Sequence, residues 1–307
     1  MYLCRLLCLM ILFGSVTAAR QASPQPDYRL RVDSTLVVIP VSVTDPSNHF
    51  VLNLEKDRFS VFEDGVEQRV MQFADEDVPL SVGLLVDVSG SMGRKLAISR
   101  SAVAEFLKTM NPQDEAFLIT FSDRAELSAG FTHDPKVIDD KLSSVESAGL
   151  TALLDAVHLG LNELKSAKNP RKALLILSDG GDNNSGYSAA DIKEVVRQAD
   201  VQIYCMGVFE PDLFAGLSAA EVSGPGLLAE ISEQTGGRVF PARSSSALPG
   251  IARRIGIELR NEYILAYRPS NSARDGKYRK VAVKLQSPEG LPGLKARWRT
   301  GYYAPAR

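Results

Sequence analysis

The sequence predicts an α/β fold: a doubly wound, mostly parallel sheet of Rossmann-like layout, with a small β-sandwich formed by flanking strands. Three observations carry this. From residue 80 to about 257, short apolar runs alternate with helical patterns, and repeated β-α units imply a largely parallel sheet. Residues 28–74 read as β throughout, with no helical periodicity. After about residue 258 the pattern returns to β. Each flank alone is small for an independent core, so the two are expected to pair. The expected divisions are a leader at 1–19, an amino-terminal β segment at 28–77, the α/β domain at 78–257, and a carboxyl-terminal β segment at 258–304 that packs with 28–77.

The leader is read from Arg5, the apolar stretch Leu6 to Val16 and the small residues Thr17, Ala18 and Ala19. These are the parts of a secretory signal peptide; the alternative is an uncleaved anchor. No second apolar run reaches 18 residues, so no membrane span is expected after it. An exported protein, periplasmic or secreted, follows. The 307 residues are 45% hydrophobic and 23% charged with a formal net charge of −2. That composition is ordinary for a globular chain and offers no basic surplus for nucleic acid or an anionic membrane. Cys4 and Cys8 lie in the leader, so Cys205 is the remaining cysteine and no disulfide framework is available. Within the run Val201 to Val208 it reads as a small buried hydrophobe.

In order, residues 20–27 are a polar tail. Tyr28, Leu30 and Val32 alternate, and Thr35 to Thr44 is rich in β-branched residues, so 28–45 predicts strands, with Pro40 marking an edge or a bulge. Phe59 to Glu63 is a strand closed by Asp64-Gly65, a hairpin signal, and Val66 to Phe73 returns as its partner. The apolar run Val82 to Val86 predicts a strand buried on both faces. A helix near 93–110 follows, with Leu96, Val103, Phe106 and Leu107 on one face. Ala116 to Phe121 is a strand and Ala125 to Ala129 its hairpin partner. A short helix covers about 135–145. Leu153, Ala156, Val157 and Leu161 place a helix within 150–167. Strands at 172–178, 201–208 and 238–240 alternate with helices at 188–199, 226–235 and 245–260. Three closing strands are expected at 262–268, 278–286 and 293–301.

Asp87, Ser89 and Ser91 end the run that starts at Val82. Alternate residues of an extended chain share a side, so three oxygen-bearing side chains can converge at the strand's carboxyl end. That is where open α/β sheets take ligands. Side-chain oxygens of this kind suit Mg²⁺, Mn²⁺ or Ca²⁺.

Asp87-Val-Ser-Gly-Ser91 resembles the Asp-x-Ser-x-Ser motif of the von Willebrand factor type A (VWA) family. The metal-ion-dependent adhesion site (MIDAS) of that family adds a downstream Thr and Asp. Thr151, in Ala148 to Leu153, and Asp179, in Leu174 to Gly180, stand at matching places. The whole order is also similar to a secreted bacterial VWFA-related family, with Asp57 to Gly65 near the start and Gly301-Tyr-Tyr-Ala304 near the end. The resemblance implies a divalent metal, Mg²⁺ with Mn²⁺ or Ca²⁺ possible. It implies that Ser89 and Ser91 bind directly and Thr151 directly or through water. Asp87 and Asp179 would act largely through water. A carboxylate from a protein partner would complete the shell, in an adhesion or protein–protein contact.

Enzyme readings find little support. No Gly-x-Ser-x-Gly elbow surrounds Ser89 or Ser91, and no phosphate-binding Gly-rich loop ends in Lys-Ser/Thr. His49, His133 and His158 are scattered without metal-ligand spacing. A metal-dependent hydrolase would need Asp182 as general base. A purely structural envelope subunit is the remaining alternative. Asp155, four residues after Thr151, either orients loop amides or is solvated. Asp182, Asn183 and Asn184 either extend the site or form an ordinary polar loop.

Overall fold

The longest apolar runs pair side by side. In the computed structural model, which describes residues 36–75, 77–178, 181–208, 219–242, 244–291 and 293–306, every residue of β5 (Leu80–Asp87) is buried. It lies parallel between β6 (Glu115–Phe121) and β8 (Arg171–Ser178). β9 (Gln202–Val208) and β10 (Val239–Ala242) extend the sheet beyond β8, and β7 (Ala125–Thr132) closes the other edge antiparallel to β6. The order is β10-β9-β8-β5-β6-β7. The expected leader and the strand positions at 28–34 lie outside the described residues.

Alternation along β5 assigns the two faces. Leu80, Val82, Leu84 and Val86 pack with α1 (Leu96–Leu107), α2 (Pro135–Ser143) and α6 (Leu248–Arg260). Leu85, with Phe117, Ile119, Leu174 and Ile176, packs with α3 (Leu153–Glu163), α4 (Ala189–Gln198) and α5 (Ala219–Glu233). Gly83 points to this second side, where an added Cβ would lie 2.3 Å from Phe117 Cζ and 2.6 Å from Leu174 Cδ2. The missing side chain is what lets those two core residues meet over the strand. Cys205 is fully buried in the same layer, and burial pushes its thiol up to about 12, so it is inert packing.

The flanking segments build two four-stranded sheets. In the first, β1 (Val37–Thr44) lies antiparallel between β11 (Glu262–Tyr267) and β13 (Lys295–Trp298), and β4 (Val70–Ala74) pairs with the far side of β11. In the second, β2 (Phe59–Glu63) lies between β3 (Val66–Gln68) and β12 (Tyr278–Leu285), with β14 (Gly301–Tyr303) beyond. Ile39, Val41, Phe59, Val61, Tyr263, Leu265 and Val283 fill the core between them. Pro40 is neither on an edge strand nor at a bulge of its pairing with β11. It sits just before the point where β13 begins to pair, at Val41, so no partner strand is needed on that side.

Two expected strands are each divided. The return of 66–73 breaks at exposed Arg69, and its halves join different sheets. The last expected strand, 293–301, breaks at Arg299 and Thr300 in the same way. A sandwich closes its corners by strands that switch sheets, and alternation continues through such a corner without announcing it.

A polar seam joins the sandwich to the α/β unit. Glu262, at the start of β11, is fully buried and accepts from Arg171, from Gln202 Nε2 at 2.7 Å and from Tyr204 Oη at 3.3 Å. Burial raises the Glu262 pKa, and Arg171 and Gln202 oppose that rise. A raised pKa means that the native state holds this proton more tightly than the unfolded chain does. Stability from this group is therefore lost as pH rises from the ordinary glutamate value through the folded one. Arg171→Ala leaves the carboxylate without its cation and is expected to cost about 3–5 kcal/mol at neutral pH. The deficit should shrink as pH falls into the ordinary glutamate range, where the carboxylate takes up its proton. Urea unfolding from pH 4 to 8 checks this, and a deficit that is flat with pH counts against it.

Candidate metal centre

Asp87 ends β5 fully buried, and its two oxygens are both engaged. Oδ1 accepts from the Ser89 backbone amide at 2.9 Å, and Oδ2 accepts from Ser178 Oγ at 2.6 Å. The first bond tightens the turn after the strand, and the second ties it to the end of the neighbouring strand β8. Ser89 leaves this turn extended, and Gly90–Met92 then forms a single 3-10 turn before α1. The two serine hydroxyls converge as expected, with their Oγ atoms 3.0 Å apart. The route differs from a continuing strand, because Ser91 sits in the 3-10 turn. Ser89 is buried beneath, and Ser91 is exposed at the mouth.

A second loop is stapled over this turn. Ala148 N donates to Val88 O at 2.9 Å, Gly90 N donates to Gly149 O at 3.0 Å, and Ser147 Oγ donates to Ser89 O. Gly149 has φ +84°, and a Cβ there would lie 2.6 Å from an Asp123 oxygen. Asp123 Oδ1 in turn accepts from Leu150 N at 2.8 Å. These bonds fix the approach to Thr151, which is 5% exposed.

The third loop follows β8. Asp179 lies outside the described residues, but the chain on either side of it is held to the other two loops. Ser178 bonds Asp87 on one side. On the other, Asn183 Oδ1 accepts from Thr151 N at 2.8 Å, while Thr151 O accepts from the amides of Asn183 and Asn184 at 3.0 and 3.1 Å. Asp182 Oδ1 accepts from Leu154 N at 3.2 Å, in the first turn of α3, and from Ser185 Oγ at 2.6 Å. Asp155 Oδ1 accepts from the amides of Gly186 and Tyr187 at 2.9 and 3.1 Å. Asp155 therefore orients loop amides, and the 182–187 segment is a bonded support for Thr151.

Of the five predicted residues, Ser89 and Ser91 are in contact, Asp87 lies directly behind Ser89, and Thr151 is carried on a loop bonded to both neighbouring loops. Ser147, Asp123 and Ser178 were not singled out by sequence. Only Ser178 carried a signal, its place just before Asp179. The histidines are engaged locally: His49 with Asp45, His133 with the Asp114 carbonyl, and His158 stacked on Tyr187 at 4.0 Å.

The donor set fits a hard cation. Hydroxyl oxygens face one another over a buried carboxylate. An enzyme reading has to use Asp182 as a base, yet that carboxylate caps α3. Asp182→Ala is accordingly expected to lower stability by about 1 kcal/mol, as loss of a cap does. Urea unfolding with a far-ultraviolet dichroism readout measures it; an unchanged midpoint would show that the cap carries no weight.

Residues 82–181 match the family model of the von Willebrand factor type A domain. An uncharacterized protein of Borreliella burgdorferi is 24% identical over 178 residues, which is 51% of this chain and 52% of that protein. The inter-alpha-trypsin inhibitor heavy chain H4 of Bos taurus is 25% identical over 174 residues, 52% of this chain and 19% of that one. The chain thus spans about half the length of the first relative and about a fifth of the second. Among solved structures, a von Willebrand factor type A protein from Catenulispora acidiphila shares the fold, with a TM-score of 0.52 and 13% identity over 90% of this chain and 75% of that one. The match over 82–181 shows a VWA-type domain in that part of the chain, and the sheet order and the loops gathered at the end of β5 agree with it.

Proposed function

We propose that this chain is an exported binding protein whose VWA domain uses a MIDAS-type divalent metal to bridge a carboxylate of a protein partner. The observation that carries the reading is the pair of hydroxyls, Ser89 and Ser91, 3.0 Å apart beside the buried Asp87. Mg²⁺ is the expected ion, with Mn²⁺ and Ca²⁺ chemically acceptable. Ser89 and Ser91 would hold it directly, and Thr151 directly or through water. Asp87 and Asp179 would act largely through water, and Asp87 also holds the turn that aims the hydroxyls.

The metal would supply a Lewis-acidic position open to one further oxygen ligand. The chain's own part is to present neutral oxygens on backbone that three interlocked loops keep in place. No helix among the described residues is long and apolar enough to cross a membrane. Export rests on the leader-like residues 1–19.

Ser91 is exposed, so Ser91→Ala should leave stability within about 0.5 kcal/mol of the parent. Titration calorimetry with MgCl₂ should show binding in the parent chain and at least a tenfold weaker affinity in Ser91→Ala. A pull-down from envelope or culture medium should lose its captured protein when EDTA is added. Equal Mg²⁺ affinity in parent and variant, or capture indifferent to EDTA, would reject the bridge.

A further inference from the structure

A second polar site lies at the seam, remote in sequence from the serines. A cleft of about 470 Å³ opens between Gly236, Gly237 and Arg238, which lead into β10, and Arg297 and Trp298 of β13. Its chemistry is dominated by guanidinium groups. Arg238 is paired with Glu258 of α6. Arg297 has no ion-pair partner among the described residues, and its Nη1 is buried without a hydrogen-bond partner. Burial, and after it the neighbouring Arg238 charge, push the Arg297 pKa down. Arg254 adds a further positive charge nearby, against the buried carboxylate of Glu258; Glu262, beyond Ser42 on the same face, is already paired with Arg171. Glu233 is the one acid lining the cleft, and it is exposed.

A neighbour on the same sheet has the same deficit. Ser42 of β1 stands directly across from Arg297, and cross-strand partners share a face. Ser42 is 2% exposed, and its hydroxyl has no hydrogen-bond partner. Leaving a buried donor or a buried cation unmet is costly. Arginine presents its N–H groups in a planar fork that matches two oxygens of one anion. The site is too small for a macromolecular surface and is walled by backbone at Gly236 and Gly237. An added Cβ there would meet Arg299 N at 2.7 Å and Ile203 O at 2.0 Å, respectively.

We propose that this cleft binds a small oxyanion, a carboxylate or a phosphate, on the fork of Arg297 with Arg238 beside it. The ligand would neutralise the surplus cation at the junction of the two β-sheet systems and would brace β13 against the segment that enters β10. The competing arrangement is intramolecular: Arg297 could turn onto Glu258, whose Oε1 also has no partner.

The test uses the full chain stripped of metal with EDTA and then dialysed free of the chelator, so that neither a metal at the serines nor the chelator's own carboxylates play a part. Inorganic phosphate and succinate are titrated separately at constant ionic strength, with chloride as the reference salt. Saturable binding of at least one is expected, and the stronger of the two identifies the headgroup. Arg297→Gln should weaken it at least tenfold. Because that variant could fold poorly, the parent chain is also modified with phenylglyoxal and read by peptide mass spectrometry. Arg297 should be labelled in chloride and at least threefold protected by the bound anion. No saturable binding of either anion, or labelling of Arg297 that the anions leave unchanged, overturns the proposal and favours closure onto Glu258.

Discussion

A buried carboxylate at the end of a central strand organises this molecule. Asp87 has no access to solvent, so its oxygens must be met by the protein. One is met by the amide of Ser89 and the other by the hydroxyl of Ser178. Each bond does structural work in a different direction. The amide bond curls the chain after β5 so that Ser89 and Ser91 face each other. The hydroxyl bond joins β5 to β8, where the third loop begins. The second loop then closes the circuit through Ser147, Ala148 and Gly149. The hydroxyl pair is thus placed by backbone constraints, which hold an arrangement more tightly than flexible side chains alone.

The opposite side of the fold is governed by a different requirement. The sandwich is assembled from residues far apart in sequence, and neither flank completes it. Within it, Glu63 is buried and accepts from Tyr267 and Tyr302 at 2.9 and 2.8 Å, joining strands from both ends of the chain. The seam beneath is charged as well. Arg171 meets Glu262, Arg238 meets Glu258, and Arg260 meets both Asp77 and Asp114. Buried pairs of this kind give modest net stability, but losing one partner is severe. The Arg171–Glu262 pair crosses from sheet to sandwich and favours one docking of the two, while Arg238–Glu258 and Arg260–Asp114 tie α6 to its own α/β unit.

The sequence made the periodic parts of this structure legible. The run at Val82 to Val86 gave the central strand, and the spacing of Leu153, Ala156, Val157 and Leu161 gave α3, because burial of one face leaves a period in the residues. The convergence of Ser89 and Ser91 could also be read, since it depends on residues two positions apart. What could not be read depends on pairs brought together only by folding. Asp123 holds Leu150, Asn183 holds Thr151, and Ser178 holds Asp87, across separations of 27, 32 and 91 residues. Apart from the place of Ser178 just before Asp179, no local pattern marks such partners. The divided strands at Arg69 and Arg299 are hidden for a related reason. A corner between sheets preserves inside–outside alternation, so the residues look the same whether the strand continues or switches.

The kind of oxygen at the mouth of the proposed metal centre bears on what it would do. Ser89, Ser91 and Thr151 contribute no charge, and the carboxylate of Asp87 is already committed to two donors. A cation held mainly by neutral hydroxyls keeps much of its positive charge, whereas one wrapped in carboxylates is largely neutralised before any partner arrives. Retained charge favours an anionic ligand from outside and penalises a neutral one, so selectivity for a carboxylate would come from what the inner donors lack. The same logic explains why the acids of the surrounding loops are turned to other tasks. Asp123, Asp155 and Asp182 each bond backbone amides and hold the loops in shape. They rigidify the site while their charge is spent on peptide dipoles.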